Sequence, residues 1–514
     1  MNGAQSLVST LVASGVDVCF TNPGTSEMHF VAALDKVEGM RAILALFEGV
    51  VTGAADGYYR MADKPASTLL HLGPGLANGI ANLHNAKKAS SGIVNIVGEH
   101  ASWHLQHDAP LTCDIEGLAR PVSAWVRTSK SADAIAADAA EAVAVAATPP
   151  GRIATLILPG DTAWNDAEGP AAKLAPKARA APSASAVEQA ARILAGREPT
   201  MIILSGRALR ADALDFAGRI AGKTGCTIAT QFFSTRIERG AGRVPTFRIP
   251  YAVEPALAAL KAFKHIITVE TREPIAFFAY PGKPSLLKAE GTNVHALCPP
   301  GADSLATLEA LAEAVGARKT DAKPQLRAQQ PLPTGALNPT TIAAALSALI
   351  PEHGIVIDES VTTGRESFGL TAGAAPHDWL QNMGGSIGYC GPVATGAAVA
   401  CPGRKVLALS GDGSAMYTIQ SLWTQARESL DVVTVIFANR AYQILRTEFA
   451  GVLAGVPGKK ASDMLSIDRP TLDFVALARG MGVDGTRVDS TEGFCKALAA
   501  ACKEKGPYLI EVVL

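Results

Sequence analysis

Two short apolar runs near the C-terminal end, each closing on a polar residue, constrain this chain more than any other feature. Val406 to Ser410 is followed at once by Gly411-Asp412-Gly413-Ser414, and Val432 to Ala438 ends on Asn439. Runs this short and this apolar predict parallel strands buried on both faces. The glycines beside Asp412 let backbone N–H groups approach an anion closely. A carboxylate there would repel a diphosphate unless a cation stood between them. Asp412 and the amide oxygen of Asn439 are hard oxygen ligands of the kind Mg²⁺ accepts alongside phosphate oxygens. A lone Gly-Asp-Gly is an ordinary turn. With a strand on each side and Asn439 beyond, the pair predicts one metal-diphosphate clamp.

Composition sets the scale of what surrounds that clamp. A chain of 514 residues predicts roughly three or four domains at about 150 residues each. Hydrophobic residues are 48% and charged ones 18%, so large buried cores are available and disorder is not expected. A net charge of -1 argues against a nucleic-acid or membrane-surface partner. The eight cysteines are scattered without a C-x-x-C, which points to reduced thiols in a cytoplasmic protein and not to zinc or a disulfide framework. Neither a secretory leader nor a membrane-spanning run is expected.

Asn165 to Ala186 and Lys319 to Pro339, rich in Ala, Pro, Lys, Ser and Gln, read as linkers. They leave segments 1–165, 186–318 and 338–514, each alternating short apolar runs with alanine-rich amphipathic stretches. That pattern predicts an α/β protein of three doubly wound parallel-sheet domains. The middle one opens with Met201-Ile202-Ile203-Leu204-Ser205-Gly206-Arg207, a strand and glycine turn without the G-x-G-x-x-G series of a dinucleotide site.

At the other end of the chain, Arg41 to Phe47 predicts a strand, and Glu48 stands where it gives way to a helix containing Ala55-Asp56-Gly57-Tyr58. An acidic residue at a helix start is by itself a partner for the N-terminal dipole. Taken with the clamp, however, the chain resembles the thiamine-diphosphate decarboxylase and acetolactate-synthase superfamily along its whole length. The likeness extends to Asn22-Pro23-Gly24-Thr25-Ser26-Glu27, to Leu70-His71 with Gly75 and Asn78, to Tyr417 and Leu422-Trp423, and to Gly506-Pro507-Tyr508-Leu509-Ile510-Glu511-Val512. Among members of the family, benzoylformate decarboxylase is most similar.

The resemblance implies thiamine diphosphate and Mg²⁺ as cofactors. Glu48 would bond a pyrimidine ring nitrogen and drive the tautomer that activates the thiazolium carbon. Asp412, Asn439 and the carbonyl of Ala441 would ligate the metal. Gly413, Ser414, Tyr442 and Thr362 would contact the diphosphate, Ile387 would be the wedge that bends the cofactor, and Gly385 would offer its carbonyl to the aminopyrimidine. The usual Asn-Asn pair is Ala438-Asn439 here, which keeps the metal ligand. Some relatives bind FAD against the central domain, but this one is short and holds no flavin-binding segment, so FAD is not expected.

The implied substrate is a small 2-oxo acid. Thr25 replaces the serine of benzoylformate decarboxylase and keeps a hydroxyl for a substrate carboxylate. His71 matches a histidine expected to move a proton or to touch that carboxylate. The family's other pocket histidine has no match around Phe277-Phe278-Ala279-Tyr280-Pro281. His100, His104 and His107 with Asp108 have spacings that could suit a metal. The resemblance favours another role, because Gln106-His107 follows the strand Ile93 to Gly98 where pyruvate-type decarboxylases carry a His-His pair and acetolactate synthases a Gln. His107 is then a second acid-base candidate. Gln443, Ile444 and Leu445 would line a compact pocket, while Arg446 is either an ion-pair partner or a carboxylate anchor. The expected reaction is non-oxidative decarboxylation through an enamine. A carboligase that passes the same enamine to a second carbonyl and a non-catalytic paralogue are the alternatives. The family's assembly implies a homodimer or homotetramer with each site at a subunit interface.

Overall fold

The computed structural model describes residues 1–328 and 331–514, so Gln329 and Gln330 of the second linker lie outside the described residues. The first segment supplies β1 (Val18–Asn22), β2 (Arg41–Leu44), β3 (Ala66–Leu70), β4 (Ile93–Glu99), β5 (Trp125–Thr128) and β6 (Ile153–Pro159). They form one all-parallel sheet in the order β2-β1-β3-β4-β6-β5. The strand expected over Arg41 to Phe47 stops at Leu44. It is the sheet edge with two exposed residues, and Phe47 is already the extended cap of the helix Glu48–Ala62.

The middle segment supplies β7 (Thr200–Leu204), β8 (Thr227–Thr230), β9 (Ile237–Arg239), β10 (Phe247–Arg248), β11 (His265–Val269) and β12 (Asn293–Cys298). Five of these make a parallel sheet in the order β10-β8-β7-β11-β12. The exception is β9. The third segment contributes β13 (Ile355–Glu359), β14 (His377–Gln381), β15 (Val406–Gly411), β16 (Val432–Ala438), β17 (Asp484–Val488) and β18 (Tyr508–Val513), and β9 pairs antiparallel with β14 at the edge of that sheet. A single strand lent by the middle segment thus covers an edge that would otherwise expose unpaired backbone. Arg239 on it stacks on Phe368 and Trp379.

The first and third sheets meet through the helices Glu48–Ala62 and Cys390–Ala400. Backbones touch there because Gly57 faces the Val393 carbonyl and Gly396 faces that of Ala54, where a Cβ would come within 2.1 and 1.8 Å. Inside this seam Arg60 and Asp56, both almost fully buried, pair through two contacts at 2.6 and 2.8 Å. Arg60 also donates to the carbonyl of Gln381 and the hydroxyl of Tyr389, so the Ala-Asp-Gly-Tyr segment ties the first domain to the third. No helix among the described residues is long and apolar enough to cross a membrane.

Candidate active site

Sheet register brings together the two residues expected to form a clamp at the C-terminal end. Gly411 of β15 pairs with Phe437 of β16, so Asp412 and Asn439 leave adjacent strands at the same edge. Asp412 is buried; Oδ1 accepts from Gly413 N–H at 2.8 Å and Oδ2 from Arg440 N–H at 2.6 Å. Burial nevertheless raises its pKa above the ordinary carboxylate value. No Lys, Arg or His side chain forms an ion pair with it among the described residues, and a buried carboxylate in that position is what a cation compensates. Asn439 Oδ1 accepts from Ala441 N–H at 3.0 Å. The donor set on hand, two side-chain oxygens and backbone carbonyls, suits Mg²⁺ and leaves room in its octahedron for phosphate. Tyr442 lies against the Gly413 backbone, where a Cβ would meet its ring at 2.4 Å. Thr362 is half-buried in the turn after β13.

Glu48 begins its helix with a buried carboxyl, and Asn78 donates to its Oε2 at 3.0 Å. Gly75 packs between Glu48 and His71, since a Cβ there would lie 3.3 Å from Glu48 Oε1 and from the His71 Cβ. His71 Nδ1 stands 2.8 Å from Oε2 of Glu27, which is fully buried and also accepts from Gly24 N–H at 2.7 Å. With Nδ1 tied down, Nε2 is the nitrogen left for a reacting group. Thr25, two residues before Glu27, is exposed. Sequence reasoning gave no role to Glu27 or Asn78. Both sit inside the stretches that carry the resemblance, which was the available signal.

Backbone strain marks the same places. Leu72, Val361 and Arg440 all adopt positive φ, at +47°, +47° and +56°. Each directly follows or precedes a candidate residue: His71, Thr362 and Asn439. Such conformations are costly for residues with a Cβ and gather at functional sites.

The loop Gly384 to Gly388 is anchored on the helix Leu72–Lys88. Asn85 exchanges hydrogen bonds with both backbone groups of Ser386, and the His84 ring meets the Gly384 carbonyl. Gly385 has φ +78°, and Ile387 is half-buried and outside the apolar core clusters. The helix Gln443–Gly451 buries none of its residues; Gln443 and Leu445 are exposed and Ile444 is half-buried. Gln106 and His107 are exposed, with Gln106 donating to the Trp103 carbonyl at 2.9 Å. The rings of His100, His104 and His107 follow one another tilted by 59° and 55°, their centres 5.3 and 5.6 Å apart. Among the described residues no group of three or more His, Cys, Asp or Glu could hold a metal.

The fold therefore gathers Glu27, Glu48, His71 and Asn78 at one place and Asp412, Gly413, Asn439 and Tyr442 at another. No hydrogen bond or ion pair within one chain joins the two groups among the described residues. A cavity of about 700 Å³ lies around Gly206, Arg210 and Glu270 at the carboxyl ends of β7 and β11 and reaches Phe277.

The profile of the thiamine pyrophosphate enzyme N-terminal TPP binding domain matches residues 1–118, and that of the C-terminal TPP binding domain matches 368–512. A protein of Mycobacterium tuberculosis, provisionally named an acetolactate synthase large subunit, is 52% identical over 100% of this chain and 99% of its own length. The chain belongs to the thiamine pyrophosphate enzymes. Benzoylformate decarboxylase of Pseudomonas aeruginosa is 29% identical, over 97% of this chain and 96% of its own. The solved thiamine diphosphate-dependent 4-hydroxybenzoylformate decarboxylase of Rhodococcus jostii RHA1 superposes with a TM-score of 0.85 at 25% identity, covering 99% of this chain and 98% of that one. This thiamine pyrophosphate enzyme thus has relatives among both decarboxylases and acetolactate synthases, and its three α/β sheets match the decarboxylase architecture.

Proposed function

We propose that the protein is a Mg²⁺- and thiamine-diphosphate-dependent, non-oxidative decarboxylase of 2-oxo acids. The observation that carries this reading is the Glu27–His71 pair. A histidine fixed by a buried carboxylate, one glycine away from Glu48, supports delivery of a proton to the carbon that has lost CO₂. Bound thiamine diphosphate would supply the electron sink for that carbon.

The chain does the holding and the proton work. Asp412, Asn439 and the Ala441 carbonyl would hold Mg²⁺; Gly413, Ser414, Tyr442 and Thr362 would hold the diphosphate. Ile387 and Gly385 would support the ring end, and Glu48 would fix the protonation of the pyrimidine. Thr25 would bond the substrate carboxylate, His71 would move the proton, and Gln106 with His107 would complete the polar side of the pocket. Gln443, Ile444 and Leu445 would bound the substrate side chain, and aliphatic walls favour a compact acid.

Assembly follows from the separation of the two groups. Leu46, Trp103, Tyr417 and Leu445 are large exposed side chains close in sequence to site residues, which supports a homodimer or homotetramer whose sites form between chains. Eight unpaired cysteines support a cytoplasmic setting.

A second reading, carboligation to a second carbonyl, is favoured by Gln106 and by the 52% identical relative with its acetolactate synthase name. Product analysis with a panel of 2-oxo acids, with and without an aldehyde acceptor, separates them. Decarboxylation predicts CO₂ and free aldehyde without any acceptor. Condensed product alone would replace this reading with the second, and no turnover of any acid would leave a non-catalytic paralogue.

A further inference from the structure

The segment Phe277 to Pro281 of the middle domain makes contact with the third. A bridge between Ile275 and Leu286 closes it at the base, and Ala276 N–H donates to the Ser285 carbonyl at 2.8 Å. Its tip is Tyr280-Pro281-Gly282-Lys283. Lys283 N–H donates back to the Tyr280 carbonyl at 3.1 Å and Gly282 takes φ +70°, the proline and glycine placement of a type II turn. A hairpin closed at both ends presents its side chains in fixed directions.

Two of those side chains touch the C-terminal domain. The Tyr280 hydroxyl donates to Glu448 Oε2 at 2.8 Å, and its ring stands beside Gly451, where a Cβ would come within 3.4 Å. Both partners lie on the helix Gln443–Gly451, which has no buried residue of its own to hold it in place. Glu448 is one helical turn past Ile444 and on the same face. Phe277 meets Gly385, where a Cβ would lie 3.0 Å from its Cζ. Phe233 and Tyr251 back it at ring-centre distances of 5.6 and 5.7 Å.

We propose that the Tyr280–Glu448 bond sets the width of the substrate pocket. Tyr280 is its positioning residue, clasping the helix that carries Ile444 and Leu445, and Phe277 closes the side above Gly385. The proposal rests on the reading of Ile444 and Leu445 as pocket residues. The Tyr280–Glu448 bond then fixes how far Ile444 stands from the hairpin, and so decides the room left for the side chain of the 2-oxo acid.

Tyr280→Phe keeps the ring and removes the bond, while Glu448→Gln keeps an acceptor oxygen and is the conservative control. Hydrogen exchange across 443–451 in the holoenzyme is expected to quicken about tenfold in Tyr280→Phe and to stay near wild type in Glu448→Gln. The kcat/KM ratio of a short-chain to a branched-chain 2-oxo acid is expected to fall about tenfold in Tyr280→Phe and in Phe277→Ala, with thiamine diphosphate affinity unchanged. Unaltered exchange in Tyr280→Phe overturns the clasp, whatever the enzyme turns over. Faster exchange with an unaltered ratio overturns the specificity role. A wild type inactive on every 2-oxo acid overturns the proposed function and the substrate half of this inference, and exchange still decides the clasp.

Discussion

Glu27 and His71 lie 44 positions apart in the chain and 2.8 Å apart in the fold, the one fully buried and the other partly open to solvent. Each follows a neighbouring parallel strand, β1 and β3, which pair with Asn22 opposite Leu70. The Glu27 carboxyl therefore orients the imidazole.

Glu27→Gln is expected to lower kcat by up to roughly 100-fold, the low end of what a positioned general acid contributes. Thiamine diphosphate affinity should stay at the wild-type level. Steady-state kinetics beside calorimetric titration read both quantities. A fall in cofactor affinity equal to the fall in kcat would make Glu27 a structural residue only.

Asp412→Ala is expected to remove the Mg²⁺ dependence of thiamine diphosphate binding, because the buried carboxylate is the charged member of the proposed clamp. Titrations at low and high Mg²⁺ test it. Mixing this variant with Glu48→Gln under subunit exchange should restore activity in part, as a mixed dimer holds one site with both residues intact. Absence of rescue from two folded, exchanging variants would argue that each site is built within one chain.

Asp56→Ala should be among the most destabilising single changes in the first domain. It leaves the buried Arg60 charge unpaired at the seam with the third domain, a loss of about 3 to 5 kcal/mol for breaking one side of such a pair. Scanning calorimetry and denaturant titration measure it. A Tm equal to wild type would show that Gln381, Tyr389 and solvent suffice for Arg60.

Glu359, fully buried at the end of β13, has its pKa pushed up to about 7 by burial, against donors from Tyr389 N–H, Cys390 N–H and Asn382. An acid with a folded pKa above its unfolded value near 4.5 binds its proton more tightly when folded. Its stabilising contribution is then complete below about pH 4.5 and is lost as pH rises toward 7. Glu359→Gln should flatten the dependence of Tm on pH across that window. Parallel curves for variant and wild type would remove Glu359 as its source.

The sequence by itself determined the strands that lead to Asp412 and Asn439, the helix that starts at Glu48 and the cofactor class. These features are contiguous: a buried parallel strand needs an unbroken apolar run, and the loop after it carries its chemistry within a few residues. The tertiary structure decided what runs between distant segments. Only the pairing of β1 with β3 brings Glu27 to His71, only the packing of the helix Leu72–Lys88 turns Asn78 onto Glu48, and only chain crossing carries β9 into the third sheet. In the same way Tyr280 shows in sequence as one more aromatic in a loop, and only the docking of two domains gives its hydroxyl Glu448 as a partner. Local pattern encodes periodicity and burial, whereas hydrogen-bond partners far apart in the chain depend on how sheets and helices pack.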